Sequence, residues 1–189
     1  MNILTDALPL SVEVGGVEYP VNVDFRAALR SIMAFEDADL TADEKQIVML
    51  YNLYGEDVPT DINGAMEQAA WFLNCGDKPQ EKDSGPRLFS FSKDARFIFA
   101  AFKQTHGIDL DSASLHWWKF LALFMDLGSE TAFCQLTALR KRIKSGKATK
   151  EEKSAARDMG DLFDLDEAQD MTLEEREALA HFERLTGIR

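Results

Sequence analysis

The sequence predicts a mainly α protein: a multi-helix orthogonal bundle of about six to eight helices behind an N-terminal β-hairpin. Three observations predict it. Residues 12–23 alternate apolar and polar around Gly15-Gly16, from Asp24 onward the apolar spacing turns helical, and capping signals recur at intervals of one helix. The 189 residues are 46% hydrophobic and include 13 phenylalanines, enough apolar surface to offset the entropy of ordering one core.

In the hairpin, a two-residue Gly-Gly turn sets Val14 opposite Val17, Val12 opposite Tyr19 and Leu10 opposite Val21 on one face. Glu13 and Glu18 then meet on the other face, where a like-charge pair belongs in solvent. A first helix follows from Asp24 with the stripe Phe25, Leu29, Ile32 and Met33, ending near Asp39. Thr41 and Glu44 form a capping box for a second, carrying Ile47, Leu50, Tyr51 and Tyr54 and stopped by Gly55. Asp61 caps a third with Ile62, Met66, Ala69, Ala70 and Leu73, ended by Gly76 and slightly weakened by Gly64.

Residues 76–87 read GDKPQEKDSGPR, with no apolar side chain but proline, and are expected to form a mobile loop. Ser92 is the expected cap of a fourth helix with Phe97, Ile98, Ala101 and Phe102, closed by Gly107 in a Schellman-type end. Residues 115–127 predict a central helix, because only His116, Lys119 and Asp126 lie on its polar stripe while Trp117, Trp118, Phe120, Leu121, Phe124 and Met125 cover the rest. Ser129 opens a sixth helix (Phe133, Leu136, Leu139, Ile143). The boxes Thr149/Glu152 and Thr172/Glu175 open a seventh and an eighth, more polar pair. The expected organisation is a core domain over 1–145, with its hairpin at 10–23, and a C-terminal helical appendage over 146–189.

The formal net charge of −12 argues against a phosphate-backbone binder, because nucleic-acid affinity depends on Lys and Arg displacing counterions. No apolar run approaches the ~20 residues of a membrane span, and residues 1–10 lack the basic and apolar regions of a signal peptide. A cytoplasmic location is therefore expected, with no nucleic acid and no membrane as partner.

The search for chemistry is negative. His106, His116 and His181 are far apart, and Cys75 and Cys134 have no Cys or His at ligand spacing, so neither a metal nor another cofactor is expected. There is no phosphate-cradling glycine loop and no nucleophile elbow, so no enzyme activity is expected. His116 beside Trp117 and Trp118 could suggest an aromatic cage, but neighbours on a helix point about 100° apart and cannot form its opposed walls. Core packing is the better reading. The run from Arg140 to Lys153 holds seven Lys or Arg against two Glu. It reads either as cations complementing a helix end or as an electrostatic docking surface for an acidic partner or another copy.

Residues 89–124, FSFSKDARFIFAAFKQTHGIDLDSASLHWWKFLALF, closely resemble the phage family called gene product fifteen. The matching phrases are Ala100 to Phe102, Gly107 to Leu110 and Leu115 to Phe120, with AAWFLNCG at Ala69 to Gly76 ahead of the polar loop. The similarity spans about Asp24 to Ile143. Its motif residues are Trp71, Phe102, Gly107, Leu115, His116, Trp117, Trp118, Lys119 and Phe120. The resemblance implies a tail-assembly chaperone of long-tailed phages and prophages of Gram-positive bacteria. It would bind the tape measure protein without catalysis, together with the major tail protein or further copies of itself; a structural tail or connector component is the alternative. Val12 and Val21 on the hairpin, and Arg140, Arg142 and Lys144 on the basic run, are the expected partner-binding residues.

Overall fold

A computed structural model describes residues 2–77 and 86–165. Among these, a two-stranded hairpin precedes seven α-helices, so the mainly α class holds. The eighth helix, the chain beyond 165 and most of the 76–87 loop lie outside the described residues. The described residues form two compact units, one of 2–77 with 115–121 and one of 86–114 with 122–165.

In the first unit, β1 (Ser11–Val14) pairs antiparallel with β2 (Val17–Pro20) in the expected register. Gly15 and Gly16 both adopt positive φ, 60° and 81°, as a turn with φ > 0 at both central residues requires. Val12 and Val14 are buried against α3, whereas Leu10 and Val17 are exposed. On that apolar face Val12, Val14 and Val21 are thus covered, Tyr19 is half-buried, and Leu10 and Val17 are open.

Asp24 caps α1 (Phe25–Glu36) by accepting from the Arg26 N–H at 2.9 Å. The buried face is broader than the expected stripe: Ala27, Ala28, Ser31, Ala34 and Phe35 join Phe25 and Ile32, while Met33 is exposed. Small residues there let α1 pack closely on α2 (Ala42–Tyr54). The Thr41–Glu44 capping box forms in full. The α2 stripe is corrected, since Lys45, Met49, Leu50, Leu53 and Tyr54 face inward and Ile47 and Tyr51 face out.

Asp61 caps α3 (Ile62–Leu73) through the Gly64 N–H. Gly64 is there for space, because a Cβ on it would lie 2.6 Å from Asp61 Oδ2 and 3.0 Å from Val14 Cγ1. It admits the cap and the hairpin together. The helix closes with the Gly76 N–H on the Trp71 carbonyl, Cys75 and Gly76 both at positive φ.

In the second unit, α4 (Ala95–His106) packs on α6 (Ala132–Lys144), and α6 on α7 (Lys150–Met159), which runs into a 3-10 turn at Gly160–Leu162. Two caps differ from expectation. The N-cap of α4 is Asp94, not Ser92, and it makes no side-chain cap bond, Ser90 Oγ instead accepting from Ser92 and Lys93 N–H in the preceding turn; Thr131, not Ser129, caps α6 through Cys134 N–H. Gly107 at φ 70° closes α4 and the Thr149–Glu152 box opens α7, both as expected. The central helix is shorter, α5 (Trp117–Met125), and Met125 is 78% exposed rather than buried.

Candidate functional site

Most of the family motif assembles in the first unit around the start of α5. The Leu115 carbonyl accepts from Phe25 N–H at 3.0 Å and the Trp117 N–H donates to Val23 at 2.7 Å, flanking an antiparallel bridge of Asp24 with His116. The α1 entry and the α5 entry are therefore stitched together by backbone. Phe120 stacks on Phe25 (centroids 4.8 Å, 7°) and on Trp117 (5.7 Å, 19°), and the Arg26 guanidinium covers Phe25 at 4.5 Å.

The two adjacent indoles share one task. Trp117 Nε1 donates to the Leu73 carbonyl at 2.9 Å and Trp118 Nε1 to the Phe72 carbonyl at 2.8 Å. Both carbonyls lie in the last turn of α3, where the regular i+4 N–H donors of a helix run out. The roughly 100° between successive helical residues, which rules out a cage, lets each ring reach a different carbonyl. Trp71 meets Trp118 edge-on at 5.6 Å, and Gly76 lies so close that a Cβ would be 3.0 Å from Trp118 and 3.3 Å from Trp71. That is a physical reason for glycine after Cys75.

His116 caps α5 with its ring. Trp118 N–H donates to Nδ1 at 3.1 Å and Nε2 stands 2.9 Å from the Pro9 carbonyl. A carbonyl only accepts, so Nε2 carries the proton and the imidazole is neutral. Burial holds its pKa below the usual histidine value, the Pro9 bond opposing this and Lys119 adding to it. Unfolded, the ring takes a proton near pH 6.5; folded, it does so only at lower pH, so stability falls as pH drops below about 6.5. Urea midpoints at pH 5.5 and 7.5 are expected to show this loss, and His116→Gln to flatten it. An unchanged slope in that variant would remove the assignment.

Of the remaining motif residues, Phe102 is fully buried in the second unit, Gly107 ends α4, Leu115 is half-buried and Lys119 is exposed. The motif is thus mostly interior, with Lys119 its exposed side chain on α5.

The expected partner-binding residues separate. Val12 and Val21 are 4% and 8% exposed, so their side chains are core and not a docking face, a correction that for Val12 follows from β1 lying on α3. Arg140 is corrected too. It is fully buried with Asp94, NH1 to Oδ2 at 2.6 Å and NH2 to Oδ1 at 3.0 Å. Its other donors go to the carbonyls of Leu88, Leu162 and Phe163 at 3.1, 2.9 and 2.9 Å, so all five guanidinium N–H groups are used. Arg142 pairs with Glu152 at 2.7 Å near the surface, and Lys144 is exposed.

Cys75 and Cys134 are free thiols, half-buried. Burial, reinforced by the charge of Asp77, pushes the Cys75 thiol up to about 12, far from the thiolate that nucleophilic chemistry needs. Among the described residues no group of three or more His, Cys, Asp or Glu side chains could hold a metal ion, and no helix is long and apolar enough to cross a membrane.

A sequence profile of the family described as Bacteriophage Gp15 protein matches residues 4–165. The match is wider at both ends than the stretch from Asp24 to Ile143 that carries the resemblance. No curated protein and no solved structure matches the chain.

Proposed function

The chain belongs to the bacteriophage Gp15 protein family, and from that premise we propose that it is a phage tail-assembly chaperone. In this reading it is a non-catalytic protein of the host cytoplasm. It binds the tape measure protein, keeps it soluble and helps recruit tail subunits such as the major tail protein. The observation that carries the reading is the fate of the family motif, whose aromatic side chains are spent on helix ends and stacking inside the first unit. A motif spent on interior scaffolding leaves the surface of this chain to bind partners.

The physical account is simple. A long helical client exposes apolar stripes that associate before tail subunits enclose them, and an acidic helical protein carrying −12 would shield the stripes and keep the complexes apart. Co-expression with the tape measure protein is expected to raise that protein's soluble yield and give one co-eluting complex in size-exclusion chromatography. Unchanged solubility and separate elution would overturn the reading.

One observation favours the alternative of a structural tail or connector component: among the described residues the sheet has two strands, and Val17 and Leu10 remain exposed on its apolar face. A hairpin of that kind can add to a neighbour's sheet. Presence of the protein in purified phage particles at stoichiometric amounts would decide for this alternative.

A further inference from the structure

We propose that the outward face of α2, formed by Asp43, Glu44, Ile47 and Tyr51, docks a basic amphipathic helix of another protein. The assignment rests on the assembly-factor reading and names the surface and the chemistry of the partner.

Ile47 and Tyr51 are each 63% exposed. A single exposed apolar residue is ordinary. Here two large ones stand one turn apart on the same face, with Asp43 and Glu44 one turn before them. The inward face of α2 is already complete, since Met49, Leu50, Leu53 and Tyr54 pack in the first unit and the Tyr54 hydroxyl donates to Ala65. The helix therefore carries a second apolar stripe that its own core does not use. Its one basic residue, Lys45, is buried, which leaves the outward face without a cation.

Charge selects the occupant. Eight acidic residues and one lysine lie between Glu36 and Asp61, so the stripe sits in a negative field that attracts a cationic helix and speeds its encounter. Glu44 is locked in place by Thr41, whose N–H and hydroxyl both donate to its Oε2 at 2.8 Å. A second copy of this chain, itself at −12, would be repelled. The geometry is that of helix-on-helix recognition: two apolar anchors on the partner laid along Ile47 and Tyr51, with lysine or arginine at the end nearest Asp43 and Glu44.

The test uses the full chain and a synthetic helical peptide of about 20 residues with leucines at i, i+4 and i+7 and lysines at its ends. A matched peptide with glutamates at the ends is the control. Calorimetric titration is expected to show saturable binding of the lysine peptide, weakened at least about tenfold by I47S/Y51S, and none of the glutamate peptide. Both side chains are exposed, so the variant is expected to keep the wild-type circular dichroism; Y51S alone serves if it does not. Equal binding by wild type and variant, or binding of the glutamate peptide, would overturn the proposal. So would a concentration-dependent dimer that I47S/Y51S abolishes, because a second copy would then cover the face.

Pull-down of the tape measure protein separates the two readings. Capture by wild type and loss with I47S/Y51S supports both. Capture by both forms overturns the α2 surface and keeps the chaperone. Peptide binding without capture keeps the surface and overturns the chaperone.

Discussion

Arg140→Ala is expected to lower the stability of the second unit by about 3–5 kcal/mol, because it leaves the Asp94 carboxylate buried without its counter-charge. The loss reaches further than the pair. Arg140 also holds the carbonyls of Leu88, Leu162 and Phe163, so the turn after α7 and the segment before α4 lose their common donor. Arg140→Lys is expected to recover little, since an ammonium offers three donors from one point where a planar fork supplies five. Replacing both partners, as in D94L/R140M, is expected to cost less than Arg140→Ala, because no charge is then stranded. That rescue is partial, as Asp94 also accepts from Ser90 N–H at 3.0 Å. Urea unfolding followed by circular dichroism reads all three. A loss under about 1 kcal/mol for Arg140→Ala would place the pair among surface ion pairs and contradict its burial.

Trp117→Ala is expected to cost a similar amount, about 3–5 kcal/mol, through the cavity it opens beside Phe120. The phenylalanine variants divide that cost. Trp117→Phe keeps a ring but removes the donor to Leu73, and stranding a buried carbonyl costs about 1–3 kcal/mol. Trp118→Phe is expected to cost less, because the Phe72 carbonyl also accepts from Cys75 N–H at 3.1 Å. Equal effects in the two phenylalanine variants would mean that packing alone, and not the service to the α3 carbonyls, sets the role of the indoles.

Local signals were legible in the sequence and long-range pairings were not. The Gly15-Gly16 turn fixes a register over a few residues, and the boxes at Thr41 and Thr149 close within four, so each could be read directly. Where two capping candidates stand a few residues apart, local spacing does not choose: Thr131, not Ser129, caps α6, and Asp94, drawn into the buried pair with Arg140, takes the N-cap position of α4 in place of Ser92. The face of α2 was hidden because apolar residues lie nearly all round it, so periodicity could not separate the inward Met49 and Leu53 from the outward Ile47 and Tyr51. Arg140 was masked by the basic run that contains it. Its signal was positional, since it stands four residues after Leu136 and seven after Phe133 on the buried stripe of α6. Its partner Asp94, 46 residues away, had no signal in sequence at all. The motif itself was read as core from its breadth of apolar cover, and the structure adds the specific task of each indole.

The central claim is that the Leu115 to Phe120 segment holds the first unit together while partners bind elsewhere. Hydrogen exchange of the Trp117 and Trp118 indole protons, followed by NMR with and without the bound client, tests it most directly. Both protons are expected to exchange only on global opening of the unit and to be unmoved by the client. Exchange as fast as that of an exposed indole, or a selective change at these two protons on binding, would contradict the account.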